Sequence, residues 1–336
     1  MFKLLRLFII LLAALVISGW LWYYYQINAP VSHNQQTVSF EIKDGAGVNQ
    51  ISQALFNAGL ISSKLFFEIY VWQQQLERNF ISGVVELSPD MNIKQITAKL
   101  TQPGNSEITI TIIEGWNNRE IAGYLEKQGL FSQQEFLDEV GKNLAKYVQQ
   151  YNFLTDKPST IDLEGYLFPD TYRIYKNSNP EEVAKKMLDN LNRKLTPELR
   201  QKIDLQKKTI FEIITLASII EKEVRQLEDM KMVADIFYKR LATNIALQSD
   251  ATINYITSKG LVQPSLDDLK IESPYNTYLH SGLPPGPIAN PGLNAISAAI
   301  EPTANDYYYF LTTKDGEVIY SKTFSEHQIN KQKHLP

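Results

Sequence analysis

The sequence predicts an α+β protein with one N-terminal transmembrane helix, a small module of strands and helices, and a larger mixed α/β domain around a central buried helix. Three observations predict it. Leu7 to Tyr25 is uncharged over nineteen positions; a strand, glycine turn and helix pattern occurs twice, seventy residues apart; and Thr209 to Arg225 is the most apolar stretch beyond the N-terminal run.

The N-terminal run comes first. At about 1.5 Å per helical residue it reaches roughly 28 Å, close to the hydrocarbon thickness of a bilayer. Lys3 and Arg6 precede it, and Trp20, Trp22, Tyr23, Tyr24 and Tyr25 crowd its far end. That arrangement places residues 1–6 in the cytoplasm, 7–25 across the membrane and the rest outside. No small-x-small cleavage site follows the run, which argues against a removed signal peptide. Residues 26–36 are polar and aperiodic and read as a tether.

A module over 37–107 follows. Val38, Phe40 and Ile42 alternate as a strand, Gly45 and Gly47 make a turn, and Val48, Ile51, Leu55 and Phe56 have helical spacing up to Gly59. The same order returns with Ile112, Glu114, Gly115, Ile121, Leu125 and Gly129. Between the copies, Val84 to Leu87 reads as a strand and Ile93, Ile96 and Leu100 as a helix. On spacing alone such modules simply pack a mixed α/β domain.

The rest, 108–336, forms the larger domain. A helix starts at Pro180 and ends by Pro197, another opens around Thr209, and a third covers Asp229 to Leu241. Glu164 to Tyr172 is an aromatic loop broken by Gly165 and Pro169. Gln248 to Thr252 reads as the cap of a short helix, Tyr275 to Gly292 as a long Pro-rich loop, and Tyr307 to Tyr320 as a hairpin.

Composition removes whole classes of function. The 33 Lys and Arg against 37 Asp and Glu leave no basic footprint for nucleic acid. The absence of Cys excludes thiol nucleophiles, disulfides and thiolate metal sites. Four scattered His offer no zinc-hydrolase pattern, and nothing calls for a metal or organic cofactor.

Glu221 projects from the flank of the apolar helix, and Glu223 lies on the other flank. A carboxyl lodged against apolar side chains is desolvated in its ionised form, which holds it protonated near neutral pH as a general acid. On helix geometry alone the favoured reading is the plainer one, in which both glutamates end the helix at a solvated surface and pair with Lys222 or Arg225. Sugar polymers bind in grooves that stack aromatic rings under pyranose faces and hydrogen-bond their hydroxyls. Tyr166 with Glu164 and Asp170, and Asn276 with Tyr278, supply those parts in two loops. Gln248, Ser249 and Asp250 carry polar groups toward a helix start, where capping is the stronger explanation and sugar binding the weaker.

The strings LASIIEKE (216–223), EGYLFPDTY (164–172), LQSDAT (247–252), YNTY (275–278), GLPPGPI (282–288), NPG (290–292) and AAIEP (298–302) resemble the MltG, or YceG-like, family of membrane-anchored endolytic murein transglycosylases. The likeness runs from about residue 38 to the C-terminus and keeps the motif order. It implies a LysM-like small domain followed by a catalytic domain, held at the bacterial inner membrane and facing the periplasm or cell-wall space. It also implies cleavage of the β-1,4 bond between N-acetylmuramic acid and N-acetylglucosamine in nascent peptidoglycan strands, leaving 1,6-anhydromuramyl ends and terminating elongation. The family's catalytic glutamate falls on Glu221. Substrate contacts are expected from Glu164, Tyr166, Gln248, Asp250, Asn276 and Tyr278, and the placement leaves room for peptidoglycan synthases as partners. Two alternatives stay open: a hydrolytic muramidase using Glu223, Glu164 or Asp170 as a second carboxylate, and a non-catalytic, membrane-anchored peptidoglycan-binding or scaffolding protein.

Overall fold

The computed structural model describes residues 2–32, 36–101, 107–142, 144–261 and 263–334, with the side chains of 2–5, 7, 9 and 10 excepted. The chain forms two compact units, Met1–Thr109 with Arg173–Ser178, and Ile110–Tyr172 with Asn179–Pro336. Helices joined to three two-stranded sheets make up the described fold, a mixed α/β architecture.

The first unit begins with α1 (Phe2–Asn28). Among the described residues no helix is long and apolar enough to cross a membrane, so the transmembrane helix expected over 7–25 is not supported by them; Leu7, Ile9 and Ile10 of that run have side chains outside the described set. The helix also runs three residues into the stretch read as a tether, whose positions 33–35 lie outside the described residues. Its last turns belong to the unit's core: Ile27 is buried, Tyr23 packs on Phe66, and Gln26 accepts a hydrogen bond from Ser62. Strand β1 (Val38–Ile42) pairs antiparallel with β2 (Gly83–Leu87), Val38 opposite Leu87 and Ile42 opposite Gly83. Alternation turns Phe40, Ile42, Val85 and Leu87 inward. They meet Ile51 and Leu55 of α2 (Val48–Asn57), Phe67 and Val71 of α3 (Lys64–Gln73), and Ile96 and Leu100 of α4 (Ile93–Thr101).

The repeat read from the sequence is a repeat in space. Strand β3 (Glu107–Thr111) leads through a turn to α5 (Asn118–Lys127) and α6 (Gln133–Lys142), as β1 leads to α2 and α3. Gly45 and Gly115 hold φ of 73° and 78° at equivalent turns. L side chains disfavour that region, so glycine is the residue both turns require.

Next along the chain come α7 (Leu144–Gln150) and β4 (Thr171–Tyr175), which pairs with β3. The aromatic loop therefore ends in a strand at Thr171. Helix α8 (Pro180–Lys194) opens on a reciprocal Asn179–Glu182 capping box with Pro180 at its start. Pro197, read from the sequence as a terminator, instead opens α9 (Pro197–Leu205) behind the N-cap Thr196, because proline tolerates a first helical turn as readily as it ends a helix. Helix α10 (Ile210–Glu223) starts at the Thr209–Glu212 capping box and is buried on every side from Ile213 to Ile220. The expected stripe is thus a fully enclosed helix. Of its two polar residues there, Ser218 Oγ donates to the Thr215 carbonyl and accepts from the Ile288 N–H, while the buried Thr215 hydroxyl has no hydrogen-bond partner among the described residues. Helices α11 (Leu227–Ala242) and α13 (Leu293–Ile300) pack against α10 and each other, with α12 (Asp250–Thr257) between them in sequence. The hairpin β5 (Tyr309–Thr312) and β6 (Val318–Ser321) precedes a final helix α14 (Phe324–His334).

Candidate active site

The C-terminal turn of α10 emerges from the core carrying Glu221, Lys222 and Glu223. Glu221 is half-buried, and its Oε2 accepts the Gly292 N–H at 2.9 Å. Gly292 is the N-cap of α13, so the carboxyl faces the electropositive start of that short helix. Burial pushes the Glu221 carboxyl up from 4.5 to about 7; the Glu114 charge adds to this, while the Gly292 N–H and Lys222 act in the opposite sense. The group is therefore poised between donating and accepting a proton at neutral pH.

The segment bringing Gly292 to Glu221 is held by Asn290. Its amide donates to the Trp116 carbonyl (3.0 Å), Asn118 Oδ1 (3.2 Å) and Glu164 Oε1 (3.1 Å), and its Oδ1 accepts the Leu167 N–H at 2.8 Å. Backbone pairing supplements this, with Asn290 N donating to the Trp116 carbonyl and Gly115 N to the Asn290 carbonyl. The Asn-Pro-Gly segment, the Glu114–Trp116 turn and the end of α10 thus form one fixed corner.

Glu223 faces elsewhere. Two residues along a helix rotates a side chain by about 200°, and Glu223 accepts a hydrogen bond from Ser249 Oγ. Burial raises its carboxyl to about 7, with Asp250 adding to the shift and Ser249 opposing it. Ser249 is the N-cap residue of α12, but among the described residues its side chain bonds no amide of that helix and serves Glu223 instead. Next to it Tyr278 donates to Asp250 at 2.6 Å, and Thr277 accepts the Ser249 N–H at 3.0 Å. Gln248 holds a φ of 51°, a strained conformation for a non-glycine residue, with its N–H on the Thr277 carbonyl and its side chain exposed.

A sequence model described as the YceG-like family matches residues 40–333. The chain belongs to the YceG-like family. It is 32% identical over 333 residues to the endolytic murein transglycosylase of Bacillus subtilis, covering 96% of this chain and 91% of that one. The endolytic murein transglycosylase of Streptococcus pneumoniae serotype 2 is also 32% identical, over 98% of this chain but 64% of its own length. The crystal structure of a yceG-like protein from Listeria monocytogenes superposes with a TM-score of 0.61 at 33% identity, covering 88% of this chain and 99% of that chain.

Of the residues singled out in the sequence, Gln248, Asp250 and Tyr278 gather beside Glu223 through Ser249 and Thr277. Three others are spent inside the fold. Tyr166 is fully buried, stacked on Phe153, and among the described residues its hydroxyl has no hydrogen-bond partner. Asn276 is fully buried, donating to the carbonyls of Leu269 and Ile271 and accepting the Tyr278 N–H, so it shapes the loop rather than facing a ligand. Glu164 is 2% exposed and accepts the Asn118 N–H at the start of α5. Burial raises its carboxyl well above the ordinary value, with Asp162 adding to the shift. Asp170 is engaged by Asn190 Nδ2 at 2.9 Å. Sequence reasoning noted Glu114 and Gly292 only inside a repeat and a motif; their approach to Glu221 spans 107 and 71 residues of chain and has no local signature. Among the described residues no group of three or more His, Asp or Glu side chains is placed to hold a metal ion.

Proposed function

We propose that this chain is an endolytic peptidoglycan lytic transglycosylase in which Glu221 is both acid and base. The observation that carries the reading is the half-buried Glu221 carboxyl, raised to about 7 and met by one backbone donor from Gly292. The names of the relatives from Bacillus subtilis and Streptococcus pneumoniae point the same way. Protonated Glu221 gives its proton to the oxygen linking muramyl C1 to the next sugar, and the C1–O bond breaks. The carboxylate left behind accepts the proton of the muramyl C6 hydroxyl as that oxygen bonds to C1. No water is consumed, and Glu221 ends the cycle protonated. The Gly292 N–H favours the ionised intermediate form, which desolvation alone would disfavour.

The substrate is nascent peptidoglycan, and Gln248, Asp250 and Tyr278 are the candidate contacts beside the acid. Residues 37–107, within the first unit, take the role of a LysM-like module. Anchoring of the chain in the cytoplasmic membrane through α1 is part of the same reading. It is supported by the unbroken helix and by Leu11, Leu12, Leu15, Val16, Ile17, Trp20 and Leu21, all exposed along it. An anchor would confine cutting to strands emerging at the membrane, where peptidoglycan synthases work.

The test is mass spectrometry of fragments released from peptide-bearing glycan strands by the full chain and by Glu221→Gln. New 1,6-anhydromuramyl ends with the wild type and none with the variant are expected. Reducing ends would make the enzyme a hydrolase, and no release from several strand types would favour a binding role.

A further inference from the structure

A second carboxylate stands at the same corner. Glu114 is exposed on the turn between β3 and α5, and among the described residues no hydrogen bond or ion pair engages its side chain. Its backbone is nevertheless clamped. The following Gly115 is buried, donates to the Asn290 carbonyl at 2.9 Å, and through its own carbonyl accepts Lys222 Nζ at 3.1 Å. The carboxyl lies against Gly292: a Cβ added there would sit 2.1 Å from Glu114 Oε1 and 2.4 Å from its Cδ. Glycine is therefore what lets the acid approach. Since the same Gly292 holds Glu221 Oε2 on its N–H at 2.9 Å, bond lengths place the two carboxyls within about 8 Å of each other.

We infer that Glu114 is a second substrate-facing carboxylate of this site, whose negative charge stabilises the positive charge developing on muramyl C1 and its ring oxygen as the leaving oxygen departs. The inference rests on the transglycosylase reading above. An anion fixed close to a charge that exists only in the transition state lowers the barrier without tightening ground-state binding. Three features fit such a role better than a structural one. The side chain is exposed and unengaged, the backbone beneath it is fixed by two other elements, and the facing position is a glycine that makes room for it. The groups facing Glu221 are Glu114 from this turn, Lys222 from its own helix and the Gly292 amide from α13, so Glu114 also bears on when Glu221 holds its proton.

The experiment compares the full chain with E114Q, E114D and E221Q on uncrosslinked glycan strands, reading kcat, KM, product ends and the pH profile. For E114Q kcat is expected to fall about 100-fold, the loss typical of removing one preorganised transition-state contact. KM should stay within a few-fold, the remaining product should keep anhydro ends, and the alkaline limb should move to lower pH. E114D should recover part of the loss. Thermal midpoints verify that both variants are folded. A kcat for E114Q within threefold of wild type overturns the inference, provided the wild type makes anhydro ends and E221Q does not. Failure of the wild type to make such ends would instead overturn the transglycosylase reading itself.

Discussion

Replacing Glu221 by Gln should make the second unit more stable above neutral pH while abolishing turnover. The variant is close to isosteric, and its side-chain oxygen can still accept the Gly292 N–H seen at 2.9 Å. What it removes is the need to ionise in a desolvated place. The folded chain holds the Glu221 proton up to about pH 7, whereas the unfolded chain releases it near 4.5. Between those values the folded state binds more protons, so stability falls as pH rises through the window and levels off above it. At about 1.4 kcal/mol for each tenfold change in proton affinity, the cost to the wild type at pH 8 is on the order of 3 kcal/mol. At pH 5 wild type and variant should be nearly equal. Native-state hydrogen exchange of the buried α10 amides, Ile213 to Ile220, reads the opening of this unit directly. After correction for intrinsic rates, E221Q should raise their protection about 100-fold at pH 8 and little at pH 5. A gain of equal size at both pH values would show that Glu221 ionises as it does in water and would refute the argument for a raised carboxyl.

Three further outcomes are expected. Asn290→Ala removes the side chain bonded to Trp116, Asn118, Glu164 and Leu167 and leaves buried partners unpaired; a loss of about 3 kcal/mol or more in urea unfolding is expected, with activity lost even where the variant is folded. Tyr166→Phe deletes a buried hydroxyl that has no partner among the described residues, so the thermal midpoint should hold or rise; weaker glycan binding by this variant would return Tyr166 to the substrate groove. Tyr278→Phe gives up the 2.6 Å bond to Asp250 and should cost about 1 kcal/mol, measurable as a lower urea midpoint.

Much of the fold is legible because its signals are local. The duplicated strand, turn and helix follow from apolar alternation, two glycines with φ near 75° and helical spacing, and all of these lie within some twenty residues. The Thr209–Glu212 capping box and the apolar run after it mark α10 equally well. The place of Glu221 on the flank of an apolar helix is legible for the same reason, whereas its expected role comes only from the family resemblance. Less legible is where solvent and core compete for the same polar and aromatic groups. Tyr166 and Asn276 are good sugar-binding types in irregular segments, but an irregular segment that is buried must turn such side chains inward to fill space or satisfy its own carbonyls. Helix α13 is hard to read because its Gly292 N-cap offers no side-chain cap and its polar face is only Asn294 and Ser297. With it goes the amide that meets Glu221.

That amide has a practical consequence. Proton-transfer groups in enzymes are usually followed through catalysis, which disappears in the variants of greatest interest. Here a backbone N–H that does not itself titrate points at the Glu221 carboxyl, and it belongs to a glycine, whose resonances fall in a sparse region of an amide spectrum. Its proton frequency should move downfield as Glu221 ionises, tracing the charge state of the acid in the resting protein, with substrate absent, and in variants that no longer turn over.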